Sequence, residues 1–238
     1  MNYGDLDIIK VQYLINSEIT AITPISIRVG KSVALGGSDN PVIRDANGEP
    51  YIPASSLKGC LRAEAERIAR SLGEFVCDIM NPESANSELN LKKERNELYT
   101  PCVICRIFGG PTIASHLLTE DARPINWRIE RVMRVSINRI TGAQHHGRLF
   151  DCEYVSPGSK FSWNLRVENI EILNSSLESK ILRYIFKKLS RGEIQIGGYK
   201  SIGYGRIKAE FKRVLETKLI DGEITETDVT EKFKKVIA

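Results

Sequence analysis

The chain has 238 residues, 42% of them hydrophobic, which is enough for one large domain with its own core. Its 34 Lys and Arg residues against 30 Asp and Glu residues give a net charge of +4, so any nucleic-acid surface must come from local clustering of basic residues. The sequence has neither an apolar run as long as a membrane span, about 18 residues, nor the N-terminal layout of a signal peptide. These features exclude a membrane partner and predict a cytoplasmic protein.

The first predicted elements are a strand and a helix joined by a glycine loop. The strand lies within residues 6–28, where Ile, Val and Tyr partly alternate with polar residues. The helix follows a turn and carries apolar residues at helical spacing up to Gly73, a residue type that often ends helices. Ser55 and Ser56 stand at its start, and either hydroxyl is predicted to accept a hydrogen bond from the first free amides.

Two cations lie on one face of the first two turns of this helix. Lys58 and Arg62 are four residues apart, beside the N–H groups at the positive end of the helix dipole. This arrangement predicts a site for a phosphate-sized anion. The alternative is that both are ordinary solvated helix charges.

The next segment contains half of a zinc-binding pattern. Residues 74–101 lose apolar periodicity, which predicts a solvated insertion. Cys102 and Cys105 then form a C-x-x-C motif, but tetrahedral zinc needs four ligands and the sequence has no second such motif. Cys77 and His116 are the best candidates to complete a zinc site. The alternative is a set of buried thiols that bind no metal.

A long hairpin is predicted between residues 125 and 155. Apolar and polar residues alternate from 125 to 140, which predicts one packed face and one basic face: Trp127, Ile129, Met133, Val135 and Ile137 on the first, Arg128, Arg134 and Asn138 on the second. Residues 141–147 turn the chain, and Arg139 and Arg148 lie near the tip. His145 and His146 are either general acid–base groups or exposed turn residues without a catalytic role.

The C-terminal part continues with a strand, a helix, a glycine-rich segment and a last strand that ends near Phe211. A short amphipathic helix is predicted for the tail, 227–237. The order strand, helix, two hairpin strands, helix, strand is that of an α+β, ferredoxin-like fold.

The glycine-rich segment 197–206 combines open backbone with basic and aromatic side chains. Its four glycines let amides approach an anion closely, while Lys200 and Arg206 add charge and Tyr199 and Tyr204 offer stacking faces. The segment predicts contact with a nucleic-acid backbone. The alternative is a glycine-rich β-turn with no ligand.

Five ordered motifs resemble one known family. The motifs span roughly residues 6 to 212 and are IPASSLKGCLR, CVICRIFGG, TEDARPI, RVSINRITGAQHHGRLFDCEYVSPGSKF and GGYKSIGYGRIK. They resemble the RAMP backbone subunits of type III CRISPR effector complexes, and most of all the Csm-type subunit. A set of five motifs in order is far more specific than any one of them.

The resemblance implies a single RAMP domain over residues 1–238. Its ferredoxin-like (RRM-like) core spans about 6–212, with an inserted lid at about 74–124, a thumb hairpin at about 128–155 and a tail at 213–238. Members of this family bind CRISPR guide RNA and target RNA, stack with copies of themselves in a helical filament, and join other type III subunits in antiviral defence. We therefore expect RNA contacts from Lys58, Arg62, Ser55, Ser56, Arg139, Arg148, Tyr199, Lys200, Tyr204 and Arg206.

The resemblance also implies a catalytic acid. Relatives of this kind cleave bound target RNA with a divalent metal, Mg²⁺ or Mn²⁺, and one acidic residue in the loop that Asp39 occupies here. Asp45 is the competing acid, but its Asp-Ala-Asn-Gly context favours a structural turn. Some relatives bind zinc, which supports the zinc interpretation of the cysteines. Two alternatives are a backbone subunit without catalysis and a stand-alone endoribonuclease that processes CRISPR transcripts.

Overall fold

The structure is a computed structural model that describes residues 6, 8–28, 38–78, 101–110, 113–220 and 222–238, without the side chains of 146–148 and 220. The glycine pair at 36–37 and most of the predicted insertion, 79–100, lie outside the described residues.

Nine strands and four α-helices are present in this part of the chain. The strands are β1 (Val11–Ala21), β2 (Leu117–Thr119), β3 (Arg123–Asn126), β4 (Ile129–Ile137), β5 (Gln144–Val155), β6 (Lys160–Glu168), β7 (Ile194–Gln195), β8 (Arg206–Ile220) and β9 (Glu223–Asp228). The helices are α1 (Ala54–Ser71), α2 (Val103–Phe108), α3 (Leu177–Ser190) and α4 (Thr230–Ile237). None of these helices is long and apolar enough to cross a membrane.

Seven strands form an antiparallel sheet whose main path runs β2-β6-β1-β8-β7. The first strand is central, because Ile15 lies opposite Leu165 of β6 and also opposite Val214 of β8. Strand β3 adds to β6, and β9 adds to β8. The strands β4 and β5 form a separate two-stranded sheet. The predicted mixture of helices with an antiparallel sheet is therefore confirmed.

One face of the seven-stranded sheet is apolar and covered by helices. Alternate residues of β1 and β6 are buried, and the side chain of Trp163 is 0% exposed. Helices α3 and α4 pack on β8, where the Phe211 ring lies 5.5 Å from Phe186 and 5.2 Å from Phe233. Period-2 alternation in the strands and 3.6-period alternation in the helices bury a shared core.

The start of α1 differs from the prediction. Neither serine accepts a capping bond; the first helical amide, that of Ala54, donates to Oδ1 of Asp121 at 2.8 Å. Ser55 and Ser56 lie two and three residues after the capping position, Pro53, and so already belong to the first helical turn. The predicted end is confirmed, because α1 stops at Ser71 and Gly73 follows with φ of +82°.

The hairpin β4–β5 reverses the predicted packing. Of the five side chains predicted to pack, Ile129 is partly buried against the core. The other four are exposed: Trp127 40%, Met133 59%, Val135 45% and Ile137 64%, whereas Arg134 is half-buried. The reason is that β4 and β5 form a sheet of their own, and the seven-stranded sheet does not extend under this face. The apolar residues of β4 therefore alternate with polar ones but have no core to pack against.

Two segment boundaries also differ. The tip of the hairpin is tighter than predicted, because Asn138 and Ala143 close it with an N–H to O=C bond of 2.9 Å and β5 already begins at Gln144. The last long strand, β8, continues past Phe211 to Ile220. The predicted tail helix is present as α4, which buries Phe233 and Ile237.

Candidate functional site

The loop that carries Asp39 lies along β5 of the hairpin. Asn40 forms an isolated parallel bridge with Cys152, and the Glu153 amide donates to the Asn40 carbonyl at 3.0 Å. The Asn40 side chain donates to the Asp151 carbonyl at 3.2 Å. The loop is therefore held on the hairpin by backbone and side-chain bonds together.

Two aspartates exchange hydrogen bonds at this junction. The Asp39 amide donates to Oδ1 of Asp151 at 2.6 Å, and the Asp151 amide donates to Oδ2 of Asp39 at 3.0 Å. The Ser38 hydroxyl also donates to Oδ1 of Asp151, at 2.9 Å. These donors, chiefly the Asp39 amide, lower the pKa of Asp151. Asp39 is an exposed residue, and among the described residues none donates to its second carboxylate oxygen.

Arginines offset the acidic charge of the junction. Arg131 lies 3.3 Å from Oδ2 of Asp151 and 3.6 Å from Oε1 of Glu153. Arg44 pairs with Oε2 of Glu153 at 2.9 Å. The carboxylates of Asp151 and Glu153 are thus paired within the protein, while Asp39 has no arginine partner in the described part of the chain.

The glycine-rich segment reaches the same junction through Tyr199. Its ring lies beneath two guanidinium groups, at 4.8 Å for Arg28 and 4.6 Å for Arg134, measured from Cζ to the ring centroid. Arg28 also donates to Oδ1 of Asn40 at 2.8 Å, and the Tyr199 hydroxyl lies 3.1 Å from Sγ of Cys152. Burial raises the pKa of Tyr199, so it remains a neutral phenol at physiological pH.

Two glycines allow the glycine-rich segment to fold so tightly. Gly197 has φ of +74°, and a Cβ there would lie 2.5 Å from the Ser26 carbonyl oxygen. Gly205 has φ of +87°, and a Cβ there would overlap the Ile196 carbonyl oxygen. Both positions need left-handed backbone and close approach, which only glycine provides without strain.

The two basic residues of the glycine-rich segment differ in their contacts. Lys200 is exposed in a short 3₁₀ turn, and the described residues contain no acidic partner for it. Arg206 instead donates through Nε to the Gly192 carbonyl at 3.0 Å. Tyr204 packs edge-on against Tyr199 and lies 5.1 Å from the Arg134 guanidinium. The tyrosine faces are thus partly covered by arginines.

The predicted anion site on α1 is engaged by the protein itself. Lys58 donates to the Ser115 hydroxyl at 2.8 Å, and Arg62 donates to the Gly109 carbonyl at 2.8 Å and pairs with Glu66 at 3.1 Å. Burial, and then the nearby Arg62 charge, lower the pKa of Lys58. These two cations hold the segment after α2 against α1.

Three predicted zinc ligands come together. The sulfur atoms of Cys77, Cys102 and Cys105 all lie within 4.8 Å of one another, with 3.3 Å between Cys77 and Cys105 and 3.5 Å between Cys77 and Cys102. Tetrahedral zinc with bonds of about 2.3 Å places its sulfur ligands about 3.8 Å apart, so the group fits. An Arg62 nitrogen lies 3.7 Å from Sγ of Cys105 and offsets thiolate charge.

His116 does not join this group. Its Nδ1 atom lies 2.9 Å from the Glu168 carbonyl oxygen, and the residue is buried beside β6. Its backbone amide donates to the Ile107 carbonyl at 3.1 Å. The structure therefore gives this histidine a place in the core, and a fourth zinc ligand must come from another source.

The remaining sequence-predicted residues lie at the hairpin tip and in one turn. Arg139 and His145 are exposed near the tip, while the side chains of His146 and Arg148 are outside the described residues. Oδ1 of Asp45 accepts bonds from the amides of Asn47 at 2.9 Å and Glu49 at 3.0 Å. The turn predicted for Asp45 is confirmed.

Sequence reasoning missed four residues of these arrangements: Arg28, Asp121, Arg134 and Asp151. Arg28 lies in a segment without a motif, whereas Asp151 lies within the hairpin motif but no role was assigned to it there. Arg134 was assigned to the basic face opposite the packed one, because alternation does not reveal which face of a strand is covered. Only the three-dimensional proximity of distant segments identifies them.

Three comparisons place the chain among known proteins. The model of the family described as "RAMPs: RAMP superfamily" matches residues 18–208. A protein of Methanothermobacter thermautotrophicus, named CRISPR system Cms endoribonuclease Csm3, is 29% identical over 239 residues, covering 85% of this chain and 84% of the relative. The protein of the same name from Methanocaldococcus jannaschii is 29% identical over 195 residues, covering 75% and 70%.

A solved structure is similar in fold. A chain from the apo state of a type III-B Cmr-beta complex, determined by cryo-EM, superposes with a TM-score of 0.58 at 17% identity. The match covers 83% of this chain and 96% of that one.

Proposed function

This chain belongs to the RAMP superfamily, and on that premise we propose that it is a CRISPR RNA-binding backbone subunit of a type III interference complex that cleaves guide-paired target RNA. Two relatives that match most of its length carry the name endoribonuclease. The observation that supports cleavage most directly is the exposed Asp39 residue, whose second carboxylate oxygen accepts no bond from the described residues and whose neighbour Asn40 contacts the arginine and tyrosine cluster.

A ferredoxin-like core is part of the proposal. In this core the first strand would be β1, the second would be formed by β2 together with β3, and the third and fourth would be β6 and β8. The two helices would be α1 and α3. With this assignment, the observed path β2-β6-β1-β8 corresponds to the spatial order of the ferredoxin-like fold. The hairpin β4–β5 is then an insertion that leaves the sheet, as expected for a thumb. This arrangement supports a role as a filament subunit.

Guide RNA would run past the glycine-rich segment. Lys200 is exposed there, and the guanidinium groups of Arg28 and Arg134 lie on the adjoining Tyr199. Planar guanidinium groups bind phosphate well, and contacts of this kind carry little sequence information. A subunit that holds any guide needs this type of contact. Further copies of the chain and other type III subunits are its proposed protein partners.

The Asp39 carboxylate is suited to a hard divalent cation. Mg²⁺ and Mn²⁺ prefer oxygen ligands, and Mg²⁺ is often held by only one or two carboxylates together with water. Asp39 would hold the cation through the oxygen that accepts no bond from the described residues, while Asp151 and Glu153 stay paired with arginines. When bound, the cation supplies positive charge that stabilises the charge developing on the phosphate during cleavage.

We also assign the three cysteines to a structural zinc ion. Cys77 follows α1, Cys102 immediately precedes α2, and Cys105 lies within α2. The three cysteines therefore connect the segment after α1 with the start of α2. Zinc there would hold both ends of the segment 78–101 together. Metal analysis of the purified protein, with a Cys102→Ser/Cys105→Ser variant as control, tests this assignment, and equal zinc content in both proteins would refute it.

The central experiment measures target cleavage by the assembled complex with a guide RNA and a complementary RNA. Asp39→Ala should reduce the single-turnover rate by several orders of magnitude, while guide and target binding stay close to wild type, because the variant removes an interaction made mainly in the transition state. EDTA should abolish cleavage by the unmodified complex.

Two matched variants make the result specific. Asp45→Ala removes a nearby acid that serves a turn and should leave the cleavage rate near that of wild type. His145→Ala/His146→Ala tests the transcript-processing alternative. Undiminished cleavage by Asp39→Ala would refute the proposal, and cleavage that persists in EDTA but is lost in the histidine variant would support the alternative. A complex that binds target RNA and never cleaves it would identify a structural subunit.

A further inference from the structure

The side chain of Asp151 is fully engaged by its neighbours, unlike that of Asp39. Its Oδ1 atom accepts from the Asp39 amide and the Ser38 hydroxyl, and its Oδ2 atom pairs with Arg131. Both oxygens therefore point at protein groups. A carboxylate used in this way orients its partners and has little capacity left for a metal ion or a substrate.

The bonds around Asp151 fix the place of the Asp39 side chain. One bond holds the Asp39 backbone, at 2.6 Å, and the return bond from the Asp151 amide holds Oδ2 of Asp39, at 3.0 Å. The first restrains the main chain and the second restrains the side chain. Because one carboxylate oxygen of Asp39 is held, the direction of the free oxygen is set as well.

The neighbouring contacts show that β5 provides this restraint. On the far side of Asp39, Asn40 is bound to the Glu153 amide and to the Asp151 carbonyl. Arg131 belongs to β4 and holds the Asp151 side chain from the other strand. The position of the Asp39 carboxylate thus depends on the base of the hairpin, through a residue 112 positions away in sequence.

We propose that Asp151 is a positioning residue for target cleavage, which holds the Asp39 carboxylate in its reactive place without contacting RNA or metal. The inference rests on the proposed function of Asp39. Displacement of a reacting group by about 1 Å can cost about 100-fold in rate. Loss of the Asp151 side chain removes its bonds to the Asp39 amide and the Ser38 hydroxyl, although the bond from the Asp151 amide to Asp39 remains. The Asp39 main chain is then free to shift, which should reduce cleavage by about 100-fold without weakening the binding of guide or target.

The experiment compares five versions of the assembled complex: wild type, Asp39→Ala, Asp151→Ala, Asp151→Asn and Glu130→Ala. Asp151→Asn keeps an acceptor oxygen for the Asp39 amide but removes the charge. Glu130→Ala is the matched control, because it removes a carboxylate of the same hairpin that bonds to Tyr154 rather than to the Asp39 loop. For each complex, the single-turnover cleavage rate and the affinity for target RNA are measured separately.

The inference predicts a large loss of rate in Asp151→Ala, unchanged affinity, and recovery of at least about tenfold in Asp151→Asn. Glu130→Ala should cleave as wild type does. If Asp151→Asn is as inactive as Asp151→Ala, the charge itself is needed and the positioning role is wrong. A parallel loss of target affinity or thermal stability in Asp151→Ala would indicate a structural role and would also overturn it.

The design separates this inference from the proposed function. If Asp39→Ala abolishes cleavage and Asp151→Ala does not reduce it, only the positioning role fails. If Asp39→Ala cleaves normally, the catalytic assignment fails and the positioning role with it.

Discussion

Strands β6 and β4 have similar alternating sequences and opposite surroundings. In β6, the apolar set Phe161, Trp163, Leu165 and Val167 is buried under the helices. In β4, the apolar set Met133, Val135 and Ile137 faces solvent, and the polar side carries Arg134 onto the tyrosines of the glycine-rich segment. The difference lies in the neighbours of each strand, since β6 sits within seven strands and β4 within two.

This contrast distinguishes side chains that stabilise the fold from side chains that are available to contact other molecules. Burial of the β6 side chains contributes to the folding free energy, whereas the exposed side chains of β4 contribute little to it. An apolar strand face that the described residues leave uncovered is available for contacts with other molecules. In the proposed complex, this face belongs to the thumb and would meet RNA or a neighbouring subunit.

The largest expected effect is on the buried strand. Trp163→Ala should lower the free energy of unfolding by about 3–5 kcal/mol, because it removes a large side chain from the core and leaves the Thr119 hydroxyl without the Trp163 Nε1–H bond of 2.8 Å. Urea unfolding of the purified chain followed by circular dichroism measures it. A loss below about 1 kcal/mol would show that β6 is not central to the core.

An intermediate effect is expected on the inward face of β4. Arg134→Ala should cost about 1–2 kcal/mol, because its guanidinium lies 4.6 Å from the Tyr199 ring centroid and 5.1 Å from that of Tyr204. Arg128→Ala is the control, since its side chain is 77% exposed and, within the described part of the chain, pairs with Glu130 alone. Equal unfolding midpoints for the two variants would contradict the assignment of an inward face.

The smallest effect is expected on the outward face of the same strand. Ile137→Ser should change the free energy of unfolding by no more than about 0.5 kcal/mol, since the side chain is largely exposed. The same variant should weaken association of the chain into the assembled complex if this face contacts a partner, which size-exclusion chromatography detects. If the variant lowered the free energy of unfolding of the isolated chain by several kcal/mol, the side chain of Ile137 would have to be buried rather than exposed.

Elements that bury a face along their own length were predictable from sequence. The periodicity of β1, α1 and α3 reports burial directly; β1 and α1 appear where they were predicted, and α3 takes its predicted place between a strand and the glycine-rich segment. Alternation in β4 was recognised, but its direction of packing was not, because that depends on which strands lie beside it. The position of Asp39 in the site came from family resemblance rather than from any local pattern.

Contacts between distant segments were beyond sequence reasoning. The amide that starts α1 is capped by Asp121, 67 residues away, although two serines stand closer in sequence. The partner of Asp39 is 112 residues away. A hydroxyl or carboxylate in a sequence signals only a capacity to accept a bond, and the fold decides which donor it meets.

The central place of β1 has a consequence for how the chain folds. Ser17 of this strand bonds to the Trp163 carbonyl, 146 residues later, and its other neighbour, β8, starts only at Arg206. During synthesis, β1 therefore emerges long before β6 and β8 have been made. Its backbone N–H and C=O groups remain unpaired until most of the chain has been synthesised. High contact order of this kind slows folding and leaves strand edges open to aggregation. We expect assembly of the sheet to be a late step, and production of the chain to benefit from slow translation or chaperones.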